Sequence, residues 1–169
     1  IVRSEFLIQN SNFNNSRSDA IDIDFSDGKL KNILVTNSGN DGIDFSGSQI
    51  IAENITVLQS GDKAISIGEA SNVKLLNTVL RNNYIALAVK DGSSLFGRGI
   101  EAANNKYQFT IFKKKKEYKY PSAIIEDYKN LSQENLYLLG ESSILKVNKE
   151  NYSSNTKNKI INSLLYNKK

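Results

Sequence analysis

A repeat of 22 residues limits this chain to a few possible folds. An apolar residue recurs at this spacing at Ile21, Ile43, Ile65, Leu87 and Phe109. Two positions later the spacing recurs at Ile23, Phe45, Ile67, Val89 and Ile111. Within each unit apolar and polar residues alternate, which predicts short strands with one buried face. A unit this short cannot bury that face alone, so successive units must stack into one column.

The stacking predicts an all-β fold, a right-handed parallel β-helix with about 4.8 Å of rise per coil. We expect three short strands per coil, separated by turns rich in Asn, Ser, Gly and Asp. Two further apolar ladders are expected to face inward: Phe13, Val35, Val57 and Val79, and then Ile51, Val73 and Leu95. Polar residues keep step at Asn10, Asn32 and Asn54, and at Ser16, Ser38, Ser60 and Asn82. We interpret these as turn side chains that hydrogen-bond along the axis.

The whole chain, residues 1–169, is predicted to form a single β-helix domain of about five to seven coils. Residues 1–95 would be regular coils, residues 96–150 irregular coils with a basic loop at 113–120, and residues 151–169 a C-terminal cap. No comparable cap precedes residue 1. We therefore expect the N-terminal end to continue into further coils or an upstream domain, in a larger protein of which this chain is a fragment.

A short amphipathic helix is predicted within the C-terminal cap, over residues 156–166. Four apolar residues share one face of this helix: Ile160, Ile161, Leu164 and Leu165. That face is expected to cover the open end of the column, because terminal repeats must hide a sheet edge.

The composition excludes several kinds of chemistry. The chain has no Cys and no His, so it offers no thiol nucleophile, no disulfide, no His-rich zinc site and no Ser-His-Asp triad. Catalysis would depend on carboxylates, Lys, Arg, Tyr or a bound cation. No apolar run of about 18 residues occurs, so no membrane span is expected. Residues 1–72 carry a net charge of −5 and residues 73–169 of +9, which predicts two differently charged surfaces.

Residues 40–48 and 61–67 resemble the polygalacturonase pattern of the pectate-lyase-like superfamily, a group of right-handed β-helices. Asp41 occupies the place of that pattern's first catalytic Asp, and Asp62 that of the first Asp of its pair. Lys63 stands where the second Asp of the pair would be. The pattern's Gly-His-Gly and Arg-Ile-Lys motifs have no counterpart. The resemblance implies the β-helix fold, and the incomplete motifs favour a module without catalysis.

A likeness over more of the chain involves residues 61–69, 88–93, 115–118 and 164–166. These segments resemble β-helix regions of bacterial surface-associated proteins, some of which also carry spore-coat (CotH) kinase-like domains. The resemblance implies an extracellular or cell-envelope location. It also implies that any catalytic domain lies outside these residues.

Carboxylates of the early coils form the sharpest candidate site. At a spacing of 22, Asp19 lies beneath Asp41 and Asp22 beneath Asp44, about 4.8 Å apart. Like charges this close repel, so a proton, the ammonium of Lys63 or a cation must compensate. One interpretation is a solvated sheet face partly neutralised by Lys63. Another is a glycan site at Asp22 and Asp44, or a calcium site with four ligands: Asp19, Asp22, Asp41 and Asp44.

A third interpretation makes the same face catalytic, with Asp41, Asp62 and Lys63 as the candidates. A lyase needs no His, because Ca²⁺ on Asp residues can acidify the proton next to a uronate carboxylate while Lys63 acts as base. The alternative function is accordingly a polysaccharide lyase or hydrolase that uses the Asp41, Asp44, Asp62 and Lys63 face. A single Lys among acids is also what a charge-balancing substitution produces.

The run Lys113, Lys114, Lys115, Lys116, followed by Tyr118, is a candidate anion-binding loop. Basic residues with interleaved aromatics can bind acidic polysaccharide or teichoic-type polymers. The competing interpretation is a solvated loop that projects from the stack. Nucleic acid is the least favoured partner, because half of the chain is acidic and no nucleic-acid motif occurs.

The leading hypothesis is a non-catalytic β-helix module of a larger extracellular or envelope protein, which presents a surface for carbohydrate or protein contact. It rests on intact structural ladders beside incomplete catalytic motifs. It requires no cofactor, or calcium at most. A second alternative is architectural, a spacer or assembly subunit that stacks through its N-terminal end.

Overall fold

A computed structural model describes residues 1–132 and 136–166. These residues form fourteen strands and one helix. The strands are β1 (Glu5–Asn14), β2 (Ile21–Asp24), β3 (Asp27–Thr36), β4 (Ile43–Ser46), β5 (Gln49–Leu58), β6 (Lys63–Gly68), β7 (Asn72–Arg81), β8 (Ile85–Lys90), β9 (Ser94–Ala103), β10 (Tyr107–Phe112), β11 (Ser122–Asn130), β12 (Tyr137–Leu139), β13 (Ile144–Val147) and β14 (Glu150–Asn151). The helix is α1 (Asn158–Tyr166).

The strands form two sheets that share the coils of one column. One sheet has eight strands in the order β1-β3-β5-β7-β9-β11-β13-β14, and the other has six in the order β12-β10-β8-β6-β4-β2. All neighbours pair in parallel except β13 and β14, which pair antiparallel. Residues 22 apart are partners over most of the early coils, as Ile21 is with Ile43 and Ile43 with Ile65. The predicted all-β parallel β-helix is confirmed, with six coils.

Each regular coil has two strands rather than the three that were predicted. The long strands of the larger sheet bend in the middle, where Asn10, Asn32 and Asn54 take positive φ angles of 53°, 54° and 55°. Asn tolerates this left-handed conformation, so it can turn a corner without ending the strand. The Asn32 amide donates to Asn10 Oδ1 at 2.7 Å, and the Asn54 amide to Asn32 Oδ1 at 2.9 Å. The predicted Asn ladder along the axis is therefore confirmed.

A one-residue insertion shifts the register of the later coils, so the other predicted ladders are wrong beyond it. Strand β7 pairs with β5 at an offset of 23 residues, so Val57 lies beside Leu80 instead of Val79, and Ile50 instead of Ile51 lies beside Val73. The extra residue lies in the turn at Glu69 and Ala70, both of which have positive φ. In the polar ladder, Asn83 instead of Asn82 follows Ser60, whose backbone N–H donates to Asn83 Oδ1 at 2.8 Å. The hydroxyls of Ser38 and Ser60 are buried without a hydrogen-bond partner, so the prediction that these Ser side chains bond along the axis is wrong. Because strand side chains alternate, a slip of one residue exchanges the buried and exposed sets.

The predicted C-terminal helix is present, but it does not cover the end of the column. Ile161 and Leu165 of α1 are buried and pack against the outer side of the six-stranded sheet, in a cluster with Ile85, Ala88 and Phe112. The other two residues of the predicted apolar face, Ile160 and Leu164, are exposed. At the end of the column, the rings of Tyr137 and Tyr152 pack edge to face with centroids 5.0 Å apart, and both contact the core.

Candidate functional site

A buried ion cluster lies at the corner that leads into the six-stranded sheet. The Lys63 ammonium lies 3.2 Å from Asp41 Oδ1 and 2.5 Å from Asp62 Oδ2. The side chains of Lys63 and Asp41 are only 3% and 5% exposed, whereas that of Asp62 is 27% exposed. We call these three residues the Asp41–Lys63 cluster. It unites the three catalytic candidates of the sequence in one contact group.

The backbone explains why these residues occupy this corner. The backbone N–H of Asp41 donates to Asp19 Oδ1 at 2.8 Å, and that of Lys63 donates to Asp41 Oδ1 at 3.1 Å. Each carboxylate therefore satisfies an amide one coil further along, as a turn side chain does. The next position in the stack is occupied by Lys63, whose side chain turns back to Asp41 and supplies the opposite charge.

For both Asp41 and Lys63, burial and the opposite charge of the other residue shift the pKa in opposite directions. Burial raises the pKa of Asp41 to about 6, although the charge of Lys63 opposes the shift. Burial alone would lower the pKa of Lys63, but the charges of Asp41 and Asp62, with a hydrogen bond to Asp62, raise it above its usual range. Lys63 therefore holds its proton at neutral pH. A protonated, buried ammonium cannot accept a proton, so this geometry does not favour Lys63 as a general base.

The Asp41 shift predicts a specific pH dependence. The pKa of Asp41 is about 6 in the folded chain, above the ordinary value of 3.8, so between these values the native state binds more protons than the unfolded state. The contribution of Asp41 to the free energy of unfolding must then fall as the pH rises through this window. We expect Asp41→Asn to remove that dependence in urea denaturation at pH 4 to 7. An identical pH profile for the two proteins would contradict the shift.

Asp22 and Asp44 lie apart from the cluster on the outer side of the six-stranded sheet. They are direct partners on β2 and β4. The pKa of Asp22 is raised by partial burial and by the charges of Asp24 and Asp44. One carboxylate oxygen of Asp44 is buried without a hydrogen-bond partner. Among residues 1–132 and 136–166, no three acidic side chains are grouped so as to hold a metal ion, and Asp19, Asp22, Asp41 and Asp44 do not form such a group.

The basic loop between β10 and β11 folds back on the coils instead of projecting freely. Its backbone is held by Asp91 Oδ1, which accepts from the N–H groups of Lys114 and Lys115 at 2.7 Å each. The Lys115 ammonium contacts Glu69. The N–H of Lys113 donates to the side chain of Asn158, at the start of α1, at 2.8 Å.

Tyr166 connects the basic loop to the Asp41–Lys63 cluster. The Lys114 ammonium lies 3.8 Å from the centre of the Tyr166 ring, and the Lys63 ammonium lies 5.3 Å from it. Both distances are typical of cation–π contacts. Sequence reasoning did not identify Tyr166 or Asp91 as site residues. The Asp91–Gly92 pair, with φ angles of 52° and 72°, is the signal of a tight turn that could have indicated Asp91.

Between the loop and α1 lies an open cavity of about 430 Å³, which we call the basic cleft. Its lining is Lys113, Lys114, Lys115, Lys116, Tyr120, Asn158, Lys159 and Asn162. All four predicted lysines of the loop therefore converge on one cleft, together with a fifth from the helix. The aromatic residue in the lining is Tyr120, whereas the predicted Tyr118 is not part of it.

The fold is that of a known family. A family model for the right-handed beta helix region matches residues 1–120, and the chain belongs to this family. The match includes the Asp41–Lys63 cluster and the loop lysines, but ends before α1. No curated protein and no solved structure matches the chain.

The one helix among the described residues, α1, has nine residues and is not long and apolar enough to cross a membrane.

Proposed function

We propose that this chain is a non-catalytic β-helix module that binds carbohydrate or protein through the outer side of its six-stranded sheet. The module would belong to a larger extracellular or envelope protein. This side carries the Asp41–Lys63 cluster, the basic loop and α1, so it combines both charged features of the sequence. The other outer side belongs to the eight-stranded sheet, on which ion pairs such as Lys31 with Glu53 are exposed.

The state of Lys63 is the observation that carries the proposal. A lyase would require this residue as a free base beside the substrate. Its ammonium is instead bound by two carboxylates, buried, and placed beneath the ring of Tyr166. The Asp41 carboxylate is likewise bound, both by the ammonium and by the backbone N–H of Lys63. These groups therefore stabilise a corner of the column, which leaves the surface around them for binding.

An assay for cleavage tests the proposal against the lyase or hydrolase alternative. We expect no product from polygalacturonate or alginate, with or without Ca²⁺, when both unsaturated uronates and reducing ends are measured. If product forms and disappears in Asp41→Asn and Asp62→Asn, with the folded state intact, the chain is an enzyme and not a non-catalytic binding module.

Calcium bound by Asp22 and Asp44 is an optional ligand within the same proposal. Asp22 and Asp44 are its best candidates, because their charges are adjacent and one Asp44 oxygen has no partner. A calcium titration that raises the melting temperature of the chain, and fails to do so in Asp44→Asn, would support this addition.

We also propose the two more specific family relationships that the sequence motifs suggest. The Asp41 and Asp62 positions support a place among pectate-lyase-like β-helices, and the motifs at 61–69 and 115–118 support a relation to surface proteins that carry CotH domains. An ion pair of Glu69 with Lys115 joins the segments 61–69 and 115–118.

An architectural role has one observation in its favour. Strands β1 and β2 are the end strands of the two sheets, and the inward-facing Phe6, Ile8 and Phe13 are only partly buried there. Stacking of a further coil on this end would complete their burial. Sedimentation over a wide concentration range tests this role, and a strictly monomeric protein would count against self-assembly.

A further inference from the structure

The basic cleft holds positive charge that the described residues do not neutralise. Of its five lysines, Lys115 has an ion pair, with Glu69. The other four lysines do not lie within ion-pair distance of any described carboxylate. They are Lys113, Lys114, Lys116 and Lys159. Burial and the charge of Lys90 lower the pKa of Lys114. An anion in the cleft would relieve this repulsion.

Other groups of the cleft indicate that the ligand is more than a simple anion. Asn162 Oδ1 is buried and has no hydrogen-bond partner. An acceptor of this kind is left unsatisfied by a carboxylate or a phosphodiester, but it is satisfied by a hydroxyl donor. Tyr120 is 49% exposed at the rim, with the Lys113 ammonium 5.0 Å from its ring centre. Tyr combines an apolar ring face with a polar tip, which suits the apolar face of a sugar.

We propose that the basic cleft binds an acidic glycan. The carboxylate or phosphate group contacts the lysines, a sugar hydroxyl donates to Asn162, and the ring of the sugar lies against Tyr120. The cavity of about 430 Å³ lies within the range of roughly 300–1,000 Å³ that is usual for ligand sites. This inference rests on the proposed function, because it names the ligand and the contact residues of the binding module.

The surroundings of the cleft favour a glycan over a nucleic acid. The same side of the column carries Asp22, Asp44 and Asp62 on earlier coils. A polynucleotide has a charge on every unit and would be repelled as it extended along these coils. A glycan can place its charged groups at the cleft and neutral hydroxyls along the rest of the column.

The test uses the full chain and a pair of exposed lysines whose removal should leave the fold intact. We expect Lys116→Gln/Lys159→Gln to weaken binding of oligogalacturonate about tenfold, since each exposed charge contributes a modest energy. The matched control is Lys29→Gln/Lys74→Gln, which removes the same charge from the outer side of the eight-stranded sheet. The control should bind like the parent chain. Calorimetric titrations at two salt concentrations measure both variants.

The probes separate the sources of the anion. Oligogalacturonate supplies carboxylates, a glycerol-phosphate oligomer supplies phosphates, and fully methyl-esterified oligogalacturonate supplies the same sugars without charge. Binding of either charged oligomer, with at least tenfold weaker binding of the ester, supports the proposal. Asn162→Leu should weaken binding of oligogalacturonate without changing the weak binding of sulfate, which has no hydroxyl to donate.

The results that overturn the inference differ from those that overturn the proposed function. Equal binding by the parent and Lys116→Gln/Lys159→Gln places the glycan elsewhere and leaves a binding module. Equal binding of the ester, or tighter binding of inorganic phosphate or a single-stranded oligonucleotide, rejects an acidic glycan as the ligand of the cleft. Failure of every glycan and every protein partner screened to bind would reject the binding module itself.

Discussion

Lys63→Met is expected to lower the free energy of unfolding by about 3–5 kcal/mol, the usual loss when one partner of a buried ion pair is removed. The substitution leaves the carboxylate of Asp41 almost fully buried without its ammonium. It also removes a hydrogen bond to Asp62 and a contact with the Tyr166 ring. Chemical denaturation at pH 7 measures the loss.

Two further variants separate burial from charge in this prediction. Lys31→Met removes an exposed pair with Glu53, 3.8 Å apart and 51% and 41% exposed, and should cost about 0–1 kcal/mol. Asp41→Asn/Lys63→Met removes both buried charges while an amide oxygen can still accept the backbone N–H of residue 63. It should recover much of the stability that Lys63→Met loses. A loss in Lys63→Met as small as that in Lys31→Met would mean that the cluster is solvated.

Asp91→Ala is expected to release the basic loop and to lower the free energy of unfolding by about 2–3 kcal/mol. Asp91 is buried, and its carboxylate accepts two backbone N–H groups of the loop, at Lys114 and Lys115. Hydrogen bonds to charged groups contribute about 1.5–3 kcal/mol, and a left-handed φ of 52° disfavours Ala. The amides of these two residues should exchange with solvent much faster in the variant.

Asp91→Asn is the matched control for this prediction. Asn tolerates the same backbone conformation and keeps one acceptor oxygen, so the loop should stay in place with a smaller loss of stability. Because the loop forms one wall of the basic cleft, Asp91→Ala should also abolish glycan binding, whereas Asp91→Asn should retain most of it. Slow exchange of the Lys114 and Lys115 amides in Asp91→Ala would contradict the anchoring role.

The fold was predictable because its signal is periodic. Equal spacing of Ile21, Ile43 and Ile65 indicates stacked strands without any knowledge of tertiary contacts. The bend at Asn32 was less accessible, since a residue in a left-handed conformation can end a strand or merely turn it. The shift at Glu69 and Ala70 was hidden, because a single inserted residue changes the register while the apolar composition of the next strand stays the same.

The site was predictable only in part. The stacked carboxylates of the early coils and the four adjacent lysines are visible in the sequence, and a spacing of 22 brings Lys63 above Asp41. The position of α1 was not accessible, since a buried stripe of Ile161 and Leu165 fits the end of a column as well as its side. Consequently the contact of Tyr166 with the lysines, which unites the two charged features, could not be derived from periodicity.

If the Asp41–Lys63 cluster is structural, Lys63 must keep its proton, and the protonation state of Lys63 can be measured directly. An NMR titration of the assigned Lys63 side chain reports whether its nitrogen carries a proton at each pH. The charges of Asp41 and Asp62 raise the pKa of Lys63 above its ordinary 10.5, so we expect an ammonium throughout the neutral and mildly alkaline range. Deprotonation of Lys63 near neutral pH would contradict this structural role and would make this residue a usable base.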